Sequence, residues 1–305
     1  ADDFAPAETN YLSALQHYHQ ENFFFINLGD SEELWENNFR QVRKANQACF
    51  AAENNFLLSD RYIKVFGNHD LYWDNDPRAI FSIRSIHTRK LHVYEGVVLR
   101  LEKGQHPLEI SDNKKKANPL PAPFLTVLLT HGHQGDASSD GNWFSKFFVA
   151  NIWAPLQSLL RINPNTPAWD LEKKTLHNSM MYEWSAEQRE LVLITGHTHQ
   201  PVFGSLTQLE RLYKKYQLAE KAGDITAVDA IRAAIRKVEK NFAAVAVDYM
   251  TMQPTYYNTG CCCYNDGDIT GIEIADGEIR LIKWTRENGV SKRVELEKTA
   301  LSNLL

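Results

Sequence analysis

Five side chains of metal-ligating type sit in four short clusters along the chain: Asp30 in Gly29-Asp30, Asn68 in Gly67-Asn68-His69-Asp70, His131 in His131-Gly132-His133, and His197 and His199 in Gly196-His197-Thr198-His199. They offer one carboxylate, one amide oxygen and three imidazoles. Such mixed oxygen and nitrogen ligation suits Mn, Fe or Zn rather than Ca or Mg alone. A carboxylate between two cations bridges them, and two ions about 4 Å apart clamp a phosphoryl group while activating a water. His69, directly after Asn68, is placed to protonate a leaving-group oxygen without being a ligand itself. Singly, Gly-Asp is a common turn and His-x-His a weak metal signal. All four together, each at the end of a strand-like run, are hard to explain as turns.

The elements that must carry these clusters read as α/β. Residues 11–20 have helical character and lead into the apolar run Phe23–Leu28, which ends at Gly29-Asp30. Ser31–Ala52 reads as helix, with Trp35, Phe39 and Val42 on one side. Tyr62–Phe66 is a short strand ending at Gly67. Leu91–Leu101 and Phe124–Thr130 read as a hairpin around the polar loop Ser111–Pro123, and Leu191–Thr195 is the strand before Gly196. From Phe242 to Trp284 several β-type runs follow, with a turn at Ala275-Asp276-Gly277. In layered α/β folds ligands bind outside the carboxyl ends of the strands, so the four clusters are expected at one rim. Two segments break the alternation and read as helical insertions, about 142–184 and 205–241. The first carries Trp143, Phe144, Phe147, Phe148 and Trp153, an aromatic flank expected to act as a lid rather than core. The second turns at Ala222-Gly223-Asp224 and has an apolar stripe of Val228, Ile231, Ile235 and Val238.

Composition narrows the class. With 305 residues, 43% hydrophobic and 23% charged, the chain has enough apolar residues for a core, as one large domain over 1–305 with insertions. A net charge of −5 argues against general nucleic-acid backbone binding. No apolar run of membrane-spanning length is present, although peripheral membrane contact stays open. Three of the four cysteines are consecutive, Cys261, Cys262 and Cys263. Adjacent cysteines pair only through a strained ring, which favours reduced thiols and a cytoplasmic location. The expectation for them is small residues in a core strand. If they bind metal, strand alternation lets at most Cys261 and Cys263 face one ion.

The ordered clusters resemble the signature of the calcineurin-like metallophosphoesterase superfamily: D-x-H, then G-D, G-N-H-D/E, H, and G-H-x-H. Leu28-Gly29-Asp30, Gly67-Asn68-His69-Asp70, Thr130-His131-Gly132-His133 and Gly196-His197-Thr198-His199 match its second to fifth blocks over roughly residues 23–200. The resemblance implies a sandwich of two mixed β-sheets flanked by helices and a two-metal centre. It implies Asp30 as the bridging carboxylate, Asn68, His131 and His197 on one ion, His199 on the other, and His69 as general acid. The implied enzyme is a phosphoric ester hydrolase, its substrate a small-molecule or lipid-like phosphate mono- or diester, or a pyrophosphate. The aromatic insertion looks like that of lipid-A-pathway pyrophosphate hydrolases.

The first block is missing. Asp2 and Asp3 have no strand before them, and His17-Tyr18-His19 lies within the first helix. The simplest expectation is that a strand ending in Asp-x-His precedes Ala1 in the native protein. Two other functions are weighed against the hydrolase. A non-catalytic binding protein on the same fold accounts for the missing block. A metallo-β-lactamase-type hydrolase accounts for His131-Gly132-His133-Gln134-Gly135-Asp136, but the spacing is one residue too long and no histidine follows Asp136.

Overall fold

Short parallel strands, each stopped by a glycine-bearing loop, place the chemistry at one set of strand ends. The computed structural model describes residues 4–34, 37–101, 125–133, 171–188 and 190–304. Helix α1 (Glu8–Gln20) is followed by β1 (Phe25–Asn27), α2 (Phe39–Ala45), α3 (Gln47–Leu58), β2 (Tyr62–Val65), α4 (Tyr72–Asn75) and α5 (Ala79–Ile86). Strands β3 (Val93–Tyr94), β4 (Gly96–Leu101) and β5 (Leu125–Thr130) precede α6 (Leu171–Ala186) and β6 (Leu191–Thr195). Next come β7 (Val202–Phe203), β8 (Leu206–Thr207), α7 (Gln208–Ala222) and α8 (Ile225–Val238), then β9 (Tyr256–Asn258), β10 (Ile269–Ala275), β11 (Glu278–Glu287) and β12 (Val290–Ala300).

The chain is mixed α/β. Its ladders fall, among the described residues, into three sheets: β1-β2-β3, β4-β5-β6-β9-β7-β8 and β10-β11-β12. The first two meet along the chain itself, because only Glu95 separates β3 from β4. Alternation in β6 divides the layers. Val192 and Ile194 join Leu125, Val127, Ile279 and Leu281 in a core between the six-stranded sheet and the antiparallel β10–β12 sheet. Leu193 faces the other way, onto Met181 of α6, Val202 and Tyr256. The far side of β11, through Ile282 and Trp284, is covered by Ala7 and Ala14 at α1.

Several expectations needed correction. Ser31–Ala52 is not one helix: residues 31–34 and 37–38 lie outside any helix, and α2 starts only at Phe39, where the Asn38 side chain accepts the Arg40 N–H as a cap. Positive φ at Asp30 (52°) and Glu33 (51°) takes the backbone out of helical geometry there. The β-rich tail runs past Trp284 into β12. The triple cysteine lies in the loop after β9, not in a strand, with Cys261 buried and Cys262 exposed. The aromatic run 143–153 and the loop Ser111–Pro123 lie outside the described residues. The end of the first insertion, α6, packs on the sheet through Met181, 1% exposed, so this part is core rather than lid. The second insertion is the expected helix pair, with a Thr207–Glu210 capping box and a left-handed Gly223 closing α7. Of its apolar stripe only Ile235 is buried. No helix among the described residues is long and apolar enough to cross a membrane.

A buried polar network braces the loop 29–34 from behind. Lys64 of β2, 0% exposed, donates to Glu32 at 2.8 Å and to the Ser31 hydroxyl at 2.6 Å. Glu32 also accepts from the Trp73 indole at 2.9 Å. Asp70 accepts the Ser31 N–H at 2.8 Å, and Tyr11 and Tyr62 both donate to the buried Glu53. Burial pushes the Asp70 carboxyl up to about 7, with Glu32 adding to the effect.

Beside this network His87 is 4% exposed. Burial, helped by the Lys64 charge, holds its pKa down at about 4. An unfolded histidine titrates near 6.5, so below that value the unfolded chain takes up a proton that folded His87 refuses, and stability falls as pH falls towards 4. The loss is at most about 3 kcal/mol from this ring. Urea midpoints measured from pH 7 to 4.5 should therefore fall more steeply in the wild type than in His87→Phe. Parallel curves would show that His87 is not the group responsible.

Candidate metal centre

Strand β1 pairs in parallel with β2, and β5 with β6, so the loops after all four leave in the same sense within each pair. Close backbone approach brings the first two together: a Cβ on Gly67 would lie 2.0 Å from Asp30 Oδ1, so no side chain fits there. Asp30 Oδ1 accepts the His69 backbone N–H at 2.9 Å, and its Oδ2 lies 2.9 Å from His131 Nε2. Asn68 Oδ1 is 3.1 Å from that same nitrogen. One ligand atom each from Asp30, His131 and His197 lies within 4.8 Å of the others. Asp30 and His197 hold positive φ (52° and 67°), a conformation uncommon for residues with a side chain and concentrated at functional sites.

Of the five expected ligands, Asp30, Asn68, His131 and His197 thus meet in one place. His199 instead groups with Cys261 and Cys263. His17 and His19 are both on α1 and meet Trp284 and Phe56 edge-to-face, at 5.5 and 5.2 Å between ring centroids. Asp2 and Asp3 lie outside the described residues.

The electrostatics favour a cation. Burial works against the Asp30 carboxylate, but the His131 charge and hydrogen bond outweigh it and hold the carboxyl well below its usual range. Conversely, burial disfavours a charged His131, and Asp30 pulls its pKa upward. Both directions favour an ion-paired hydrogen bond between Asp30 Oδ2 and His131 Nε2, and a cation taken up by these two atoms would have to displace the proton between them. His131 Nδ1 is 2.8 Å from the Leu28 carbonyl, which leaves Nε2 as the nitrogen facing Asp30. His197 is held far below 6.5 by burial and then by His131. His133 is pushed down to about 3 and His177 to about 4, mainly by burial. Buried neutral imidazoles beside a carboxylate are a donor set that fits Mn, Fe or Zn.

Two residues of this site escaped the sequence. His177, on α6, packs against His197 with the rings tilted and their centroids 5.1 Å apart. It hydrogen-bonds the Gly132 backbone and leaves its buried Nε2 without a partner. Nothing near it in sequence marks it, since helical periodicity alone makes it another core position. Glu33 lies in the loop whose spacing imitates a helix, and its Oε2 sits 2.5 Å from His69 Nδ1. That hydrogen bond raises His69 to about 9 against the opposing effect of burial, and its side chain remains 42% exposed. His177→Leu is expected to weaken metal affinity by about 10- to 100-fold, the scale of losing an outer partner of a ligand. Competition with a chromophoric chelator measures this, and unchanged affinity would remove His177 from the site.

No protein-family model matches the chain, and no curated protein matches it. Among solved structures, a double mutant of Vps29 from Entamoeba histolytica is similar at 13% identity, covering 82% of this chain and 89% of that one, with a TM-score of 0.22. An overlay of that quality supports no equivalence between residues.

Proposed function

We propose that this chain is a metal-dependent phosphoesterase of the calcineurin-like metallophosphoesterase type, acting on a phosphate mono- or diester or a pyrophosphate. The observation behind this reading is the meeting of Asp30, Asn68, His131 and His197 beside a half-exposed His69. Asp30, His131 and His197 would hold a divalent ion, with Asn68 adding an amide oxygen. The proposal includes a second ion and the layered two-sheet fold that goes with such a centre.

Bound there, divalent metal supplies positive charge to the phosphoryl oxygens and a water acidic enough to attack. The protein's own groups do the rest. Asp30 brings the negative charge that keeps cations in a buried place. Leu28 fixes the orientation of the His131 ring through its carbonyl. Glu33 holds His69 Nδ1, which leaves Nε2 as the hydrogen donor to a departing oxygen. His69 is open to solvent and so within reach of a substrate, whereas His131, 2% exposed, is not.

Chelation of the protein should abolish hydrolysis of an aryl phosphate mono- or diester, and Mn or Zn should restore it. Unchanged turnover after verified metal removal would contradict the reading. His69→Gln should keep the metal and lose rate by about 10²- to 10⁴-fold, the usual contribution of a general acid, most severely for poor leaving groups. Loss of metal in His69→Gln would mean that His69 is a ligand instead.

A further inference from the structure

The loops that follow two neighbouring parallel strands bring together a different set of ligands. Thr195, the last residue of β6, is in register with Asn258, the last of β9. The β6 loop then carries His199, and the β9 loop carries Cys261 and Cys263. One ligand atom from each of the three lies within 4.8 Å of the other two. The sulfurs of Cys261 and Cys263 are 2.7 Å apart, while Cys262 between them is exposed.

This arrangement is built into the backbone. Gly260 has φ of +80°, and a Cβ there would lie 2.1 Å from Thr270 Oγ1 and 2.7 Å from Pro201, so only glycine admits the turn. Its N–H donates to Asn258 Oδ1 at 2.9 Å. Cys261 is then pinned to β10 from both sides: its N–H donates to Thr270 Oγ1 at 3.2 Å and its carbonyl accepts the Thr270 N–H at 3.0 Å. The Cys263 N–H donates to Cys261 Sγ at 3.1 Å, which fixes the two cysteines relative to each other. On the other loop the Tyr264 hydroxyl donates to the His199 carbonyl at 3.0 Å, and His199 is held at φ of 55°.

We propose that His199, Cys261 and Cys263 form a sulfur-bearing metal site for a borderline-soft divalent ion of the zinc class, separate in its ligands from the Asp30 group. Two thiolates and an imidazole are the donors such ions prefer over hard ones, and three protein ligands leave a fourth position open. Metal–sulfur bonds of about 2.3 Å at tetrahedral angles set the sulfurs roughly 3.8 Å apart, so metal entry must move them apart by about 1 Å. Cys263, which is partly exposed, is the side chain able to make that movement. The site shares no ligand with Asp30, His131 and His197; it takes His199, the residue the phosphoesterase reading would give to its second ion, so the two assignments compete for that ring alone.

Cobalt(II) titration of the full chain, kept reduced with a phosphine, tests the site. A thiolate-to-cobalt charge-transfer band should appear, be quenched by Zn, and be lost in Cys261→Ser and in Cys263→Ser. It should survive in Cys262→Ser and in Asp30→Asn. If either serine variant misfolds, alkylation of the wild type replaces it: Zn should protect the partly exposed Cys263 from iodoacetamide. Absence of the band, its survival in Cys261→Ser, or equal alkylation of Cys263 with and without Zn would overturn the proposal.

Discussion

Asp30→Asn should abolish turnover and empty the centre, with a loss on the order of 10³-fold or more, above the ~10- to 100-fold expected when only an outer partner of a ligand is removed. The amide is nearly isosteric and can still accept the His69 N–H, so the loop geometry survives. What disappears is the formal negative charge among buried imidazoles, the feature that makes cation binding there favourable. The fold should tolerate the change, because His131 can give up its proton once Asp30 is gone and so avoid a buried unpaired charge. Metal content by mass spectrometry, circular dichroism and aryl phosphate turnover together separate these effects. A variant that keeps its metal and a tenth of its turnover would contradict the role given to Asp30.

The largest effect on stability is expected at Lys64. Its ammonium is fully enclosed among Glu32, Ser31, Glu53 and Asp70. Burial works against the charge, and the surrounding carboxylates outweigh it and raise its pKa. Lys64→Met fits the volume but strands Glu32 as a buried carboxylate, which should cost about 3–5 kcal/mol. The pH dependence has a definite sign. Without Lys64 the Glu53 and Asp70 carboxyls, which burial already raises, rise further, so the folded variant binds more protons than the unfolded chain. Its stability should therefore improve as pH falls from 8 towards 5. Adding Glu32→Gln should recover part of the loss. Denaturant midpoints of the single and double variants check both points, and a cost below 1 kcal/mol at pH 8 would show that the pair is not strongly coupled. Because this network holds residues 31 and 32, a destabilised variant should also lose the Asp30 site before it unfolds globally.

The parts of the site legible in the sequence were those that announce themselves locally. Gly29-Asp30 and Gly67-Asn68 carry turn chemistry and a ligand in adjacent positions, so the pattern and the function coincide. His131 and His197 end apolar runs, and a strand followed by histidine is readable without a partner. His177 carries no such mark: its place beside His197 is decided by how α6 lies on β6 and β9, which no local pattern encodes. Glu33 was lost because the run through Trp35, Phe39 and Val42 imitates helical spacing, whereas left-handed Asp30 and Glu33 and the cap at Asn38 delay the helix to residue 39. The cysteines show the same division. Alternation allowed at most Cys261 and Cys263 to face one ion, but their meeting with His199 follows from the β6–β9 pairing, a long-range contact. Metal coordination itself lies beyond either kind of pattern.

Anomalous diffraction from crystals of the full chain equilibrated with manganese tests the central claim most directly, since it locates the ion without relying on turnover. Density at the manganese edge is expected within bonding distance of Asp30, His131 and His197, and is expected to vanish in Asp30→Asn. A crystal whose manganese sites all lie elsewhere, with the Asp30–His131 contact intact at saturating metal, would contradict the account.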